Sequence, residues 1–144
     1  MLRMSKKVEY ALMAMIEMTD HQDRELITAK EIAKRYHIPQ EILGKVLQAL
    51  SKKGLIESIQ GVRGGYRAGN CWDEIPVAKI IETIDGPIEL MACNKGNFCD
   101  CEQISVCNIK EPMTILQNEL ISFFNSITLK DLKQGYNVLG EIKN

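Results

Sequence analysis

This chain of 144 residues has no stretch near the ~20 consecutive apolar residues of a membrane-spanning helix, which excludes an integral helical membrane protein. Its opening, Met1-Leu2-Arg3-Met4-Ser5-Lys6-Lys7, runs straight into an amphipathic pattern. The apolar region and small-residue cleavage site of a secretory signal are absent, so the expected location is cytoplasmic. No Ser/His/Asp arrangement, phosphate-cradling loop or paired catalytic carboxylates emerge, and an enzyme is not expected. Internal repeats and low-complexity tracts are also missing. Histidine is scarce, and His21 and His37 fall near helix ends, where they read as surface residues. What remains is a globular composition, 45% hydrophobic and 26% charged, of a length that suits one domain or one small domain with an appendage.

Net charge of one sign is lacking as well. The formal value of −1 by itself argues against a nucleic-acid binder, but it hides a division at Asn70. Residues 1–70 carry 12 Lys or Arg against 8 Asp or Glu, a balance of +4, and residues 71–144 carry 6 against 11, a balance of −5. A basic half joined to an acidic half suits a molecule with one surface that meets phosphates and another that does not.

The elements can be read from spacing. Val8, Ala11, Leu12, Met15 and Met18 make one apolar stripe on a helix over about 5–19. Thr28-Ala29-Lys30-Glu31 is a capping box that opens a short helix with Ala29, Ile32, Ala33 and Tyr36 inward. His37-Ile38-Pro39 breaks it. A third helix over 39–52 should bury Ile42, Leu43, Val46, Leu47 and Leu50 and stop at Gly54. Leu55–Gln60 and Tyr66–Ala68 read as strands joined by the turn Gly61-Val62-Arg63-Gly64-Gly65. This order predicts a mainly α protein built on a winged helix-turn-helix over residues 1–70. A modest helix over 76–84 and an aperiodic, cysteine-bearing stretch then fill residues 71–108. In the last segment, 109–144, Ile109, Met113, Leu116, Leu120, Phe123 and Ile127 recur at intervals of 4, 3, 4, 3 and 4, the seam of a coiled coil, which predicts a long dimerisation helix. Thr128 then caps a small terminal helix.

Three groups of residues carry chemistry. Gln40, Glu41 and Lys45 lie on the free face of the third helix, with Gly44 between them, and suit contact with base edges in a major groove of double-stranded DNA. Arg63 stands between Gly61 and Gly64-Gly65, where a narrow loop can carry a guanidinium into a minor groove. Four of the five cysteines crowd into Cys93-x5-Cys99-x-Cys101-x5-Cys107. Thiolates so placed suit an iron–sulfur cluster, while the gaps fit poorly the two close pairs of a structural zinc site. Cys71, beside Trp72, reads as a small buried hydrophobe.

With these features the chain resembles the iron–sulfur winged-helix transcription regulators typified by IscR and NsrR. The likeness rests on Lys7-Val8-Glu9-Tyr10-Ala11-Leu12, Gly61-Val62-Arg63-Gly64-Gly65-Tyr66, the cysteine loop, and Phe124-Asn125-Ser126-Ile127-Thr128-Leu129-Lys130-Asp131-Leu132. It implies a homodimer whose long helices cross, with a 2Fe–2S or 4Fe–4S cluster held by Cys93, Cys99 and Cys107. Three departures stand out. Seven residues separate Cys99 from Cys107, with Cys101 as a substitute ligand. The histidine that some members offer after the third cysteine is absent. Glu9 matches the acidic ligand that others supply from the partner subunit. Gly44 and Lys45 also replace an acid and an amide at base-reading positions, so a target sequence does not transfer. The alternatives to cluster control are a zinc- or thiol-switched repressor and, in a different class, an electron-transfer or cluster-carrier protein.

Overall fold

The structure, a computed structural model, describes residues 2–21, 25–94 and 101–135. Ser5 caps α1 (Lys6–Asp20), its Oγ accepting from the Val8 amide at 3.3 Å. Ser5 also donates to Asp85 Oδ1 at 2.8 Å, which ties the start of α1 to the end of a later helix. The capping box forms as expected at α2 (Ala29–Tyr36): Glu31 N donates to Thr28 Oγ1 at 3.1 Å and Thr28 N to Glu31 Oε2 at 2.7 Å. His37 ends α2 in the left-handed region, φ 54°, and Ile38 is buried beneath the turn. Then α3 (Gln40–Lys52) begins on Pro39, whose fixed φ suits a helix start. α2, turn and α3 together form a helix-turn-helix.

Gly54, at φ +74°, redirects the chain into β1 (Ile56–Ile59), which pairs antiparallel with β2 (Gly65–Ala68) in the register Ile56↔Ala68 to Ile59↔Gly65. Ile27, just before α2, adds a third rung: its amide donates to Tyr66 O at 2.9 Å, and the Tyr66 amide returns to Ile27 O at 2.8 Å. The hairpin is therefore anchored on both sides of the helix-turn-helix. A 3-10 turn (Trp72–Glu74) leads to α4 (Val77–Asp85), and α5 (Lys110–Ser126) and α6 (Leu129–Lys133) complete the described chain.

The core is filled by Ala11, Ala14, Met15 and Met18 of α1, Ile32 of α2, Leu43, Val46, Leu47 and Leu50 of α3, and Ile56. Ile80 of α4 and Leu129 of α6 join the same cluster. Two expectations fail at the margin of the stripes. Ile42 is 37% exposed because it lies ~100° around α3 from Leu43, and Leu43, Val46, Leu47 and Leu50 already fill the inward face. Tyr36 is also exposed along part of its ring, although its hydroxyl reaches a buried carboxylate of α1. Cys71 is exposed rather than buried: it precedes the 3-10 turn, where the neighbouring Trp72 is the residue that packs against the core.

No residue of α5 is buried within the protomer. Ile109, Leu116 and Phe123 of its apolar seam stand 54%, 53% and 48% exposed. Phe124 near its end packs against the small buried cluster of Val8, Val77, Ile81 and Ile127, and just beyond its C-terminus the chain returns to the core. The Val77 amide donates to Ile127 O and the Leu129 amide to Ile75 O, both at 2.8 Å, pinning the end of α5 to the start of α4.

Candidate nucleic-acid interface and thiol segment

The free face of α3 presents Gln40, Glu41 and Lys45, all exposed. Glu41 and Lys45 form an i,i+4 ion pair at 3.7 Å with both side chains open to solvent, an interaction of only ~0.3–0.5 kcal/mol that a stronger partner displaces easily. A Cβ built on Gly44 would meet nothing within 4 Å, so the fold does not require glycine there. Its effect is to leave the backbone bare between Glu41 and Lys45, where another molecule can approach closely.

The hairpin tip is shaped differently. Gly61 adopts φ +124°, and the Gly64 amide closes on Gly61 O at 3.0 Å. A Cβ on Gly64 would lie 2.3 Å from Ile59 O, so glycine is obligatory at that position. The result is a tight turn with Val62 and Arg63 at its two corners, both exposed. At the hairpin base, Arg67 Nε donates to Glu57 Oε2 at 2.5 Å across the strands. The rigid tip and the α3 face are the two surfaces that the residue pattern singled out.

A third feature escaped the sequence pattern. Glu17 of α1 is 2% exposed, and its carboxylate takes Arg35 Nη1 at 2.6 Å, His21 Nε2 at 3.1 Å and the Tyr36 hydroxyl. Burial pushes the Glu17 carboxyl up, but the Tyr36 hydroxyl, His21 and the Arg35 guanidinium together outweigh it and hold the carboxyl below its ordinary value. In turn, the hydrogen bond to Glu17, with burial, raises the Tyr36 phenol above its usual value. The network fastens the last turn of α2 to α1, immediately before the turn into α3. One signal was visible: an acidic residue between Ile16 and Met18, within the apolar run that starts at Ala11.

Of the expected thiol ligands, Cys93 sits in a single 3-10 turn (Ala92–Asn94) and Cys107 three residues before α5, both half-buried. Cys99 lies outside the described residues. Cys101 is half-buried, with its Sγ donating to Gln103 Oε1 at 3.3 Å. Among the described residues, no three His, Cys, Asp or Glu side chains converge as a metal site. The donor chemistry nonetheless fits an iron–sulfur cluster, because Cys93, Cys101 and Cys107 are soft sulfur donors held partly shielded from solvent. The approach to Cys93 is fastened to the long helix: the Leu90 amide donates to Gln117 Oε1 at 2.9 Å. Glu9 is occupied within its own chain by Lys6 Nζ at 2.6 Å, a partner that an iron ion would have to displace.

The chain is similar to known transcriptional regulators. The family described as Rrf2, iron-dependent transcriptional regulator, matches residues 4–135. The HTH-type transcriptional regulator IscR of Vibrio cholerae is 30% identical over 139 residues, spanning 96% of this chain and 79% of that protein. The HTH-type transcriptional regulator NsrR of Bacillus licheniformis is 26% identical over 131 residues, covering 91% and 92%. The crystal structure of CymR, the global cysteine regulator of B. subtilis, superposes with a TM-score of 0.70 at 28% identity, covering 93% of this chain and 98% of that one.

Proposed function

The chain belongs to the Rrf2 family of transcriptional regulators, and from that membership we propose that it binds operator DNA as a homodimer whose affinity is set by an iron–sulfur cluster. In this reading Gln40, Glu41 and Lys45 face base edges in the major groove, and Arg63 enters the adjacent minor groove on its rigid turn. The cytoplasm is its place of work. Cys93, Cys99 and Cys107 would hold the cluster, with Cys101 as a substitute for Cys99 and Glu9 of the partner subunit as a candidate for the fourth position. When bound, such a group supplies reversible redox chemistry and irons open to attack by small oxidants or nitric oxide.

The single observation that carries the proposal is that a thiol-bearing segment runs directly into α5, whose seam residues Ile109, Leu116 and Phe123 are left exposed by its own chain. Cys107 is three residues from the helix, and the backbone before Cys93 is held by Gln117 midway along it. A change in how these thiols are held therefore reaches the helix that sets the spacing of two α3 faces across the DNA. The likeness to a cysteine regulator favours a second reading, in which the thiols themselves switch the repressor without iron.

Anaerobic purification decides between them. We expect visible absorption with stoichiometric iron and sulfide, lost or made oxygen-fragile in Cys93→Ala, Cys99→Ala and Cys107→Ala. Colourless protein whose DNA binding still follows thiol oxidation would establish the thiol switch. Zinc without colour would establish a zinc-controlled repressor. Coloured protein with no salt-dependent DNA binding would make it a carrier of the cluster.

A further inference from the structure

We propose that the cleft between the C-terminal end of α1, the base of the hairpin and Trp72 is a binding site for a small α-amino acid with an uncharged side chain. The cleft has a volume of about 390 Å³, at the lower end of the ~300–1,000 Å³ range of small-molecule sites. Glu57 and Arg67 line it as a directly opposed cross-strand pair, joined through Arg67 Nε and Glu57 Oε2 at 2.5 Å. Their side chains are 41% and 34% exposed, so both remain partly open to solvent.

That single contact leaves the terminal nitrogens of the guanidinium and the second carboxylate oxygen of Glu57 as donor and acceptor held side by side. The complement of such a pair is a zwitterion, with its carboxylate on Arg67 and its ammonium on Glu57. A simple amine or a simple acid satisfies only half of it. Asn70 lines the same cleft and adds an amide, and Met18 and Trp72 supply a limited apolar wall. Lined mostly by polar residues, the cleft suits a small side chain better than a large apolar one.

The walls of the cleft are braced against the rest of the protein. Lys133 of α6 sits 5.2 Å from the centre of the Trp72 ring and pairs with Asp20 Oδ1 at 3.0 Å. It also donates to Thr19 O at 3.3 Å. His21, a further wall residue, reaches the buried Glu17. A bound amino acid would thus join the hairpin carrying Arg63 to α1 and, through Trp72, to α6. The site does not depend on the cluster or on DNA, so its occupancy can be read without either.

Trp72 is the one tryptophan of the chain, and its fluorescence reports the cleft directly. The purified full chain is titrated with the proteinogenic L-amino acids, and with methylamine and acetate as half-ligand controls. A saturable emission change is expected with at least one small neutral amino acid at up to millimolar concentration, and with neither control. Arg67→Gln should weaken that response by roughly ten- to hundredfold, the value of a lost charge-assisted hydrogen bond. Because Arg67 also serves the hairpin, Asn70→Phe provides a second variant, which narrows the cleft while leaving the ion pair in place. It should abolish the response with an unchanged circular dichroism spectrum. Absence of a saturable change with every amino acid overturns the proposal. So does an equal response to acetate, or a response that persists in both variants.

Discussion

A carboxylate inside a packed helical domain persists only where donors meet it, and Glu17 has three. Glu17→Ala should cost about 1–3 kcal/mol in urea unfolding, since it leaves the Tyr36 hydroxyl and His21 to find water. The pH dependence follows from the lowered carboxyl. Its stabilisation is present above the ordinary value of 4.5 and is lost as pH falls through the lower, folded-state value. The melting curves of the parent and Glu17→Gln should therefore lie apart at neutral pH and converge as pH falls through that lowered folded-state value. At the hairpin tip, Arg63→Ala should lower affinity for operator DNA and reduce the slope of log K against log salt by roughly one phosphate equivalent, as measured by fluorescence anisotropy across a salt series. A variant that binds like the parent at every salt concentration would remove the hairpin from the DNA interface.

Among the elements, α5 makes the sharpest case, because its seam was legible as spacing and its exposure was not. Period alone places Ile109, Leu116 and Phe123 on one line, and it cannot say whether that line meets its own chain or another. The structure leaves it uncovered. Leu116→Ala with Phe123→Ala should therefore leave the helix content and core of the protomer intact, yet abolish the proposed dimer in sedimentation at low micromolar concentration. Each truncation at a buried seam costs ~2–5 kcal/mol. A double variant that remains a dimer would place the interface elsewhere. The other elements were legible wherever local chemistry fixes the backbone. The Thr28 and Thr128 capping boxes and the hairpin turn all stand where the residues put them. Side-chain fates at stripe edges were not legible, because Ile42 and Tyr36 depend on what neighbouring residues already fill and on an acceptor 19 positions away. The Ile27 rung is likewise invisible to a rule that needs several alternating residues to recognise a strand.

At the scale of the whole molecule, one core spans the helix-turn-helix, α4 and α6, so the cysteine-bearing segment and α5 lie between two parts of the same packed body. The amides of Val77 and Leu129, which close that body, should exchange with solvent only near the free energy of global unfolding, as hydrogen-exchange mass spectrometry can measure. Thr128→Ala, which removes the cap of α6, should lower stability by ~1 kcal/mol and speed the exchange of Leu129. This clasp has a mechanical meaning. A helix of 17 residues is about 25 Å long, and α5 is clasped to the core by backbone hydrogen bonds at its C-terminal end and held midway at Gln117, which makes it a lever with its fulcrum toward Ile127. Cys107 sits beyond the opposite tip, where leverage is greatest. A tilt of roughly 10° about the fulcrum sweeps that tip through about 4 Å while α2 and α3 stay seated in their own core.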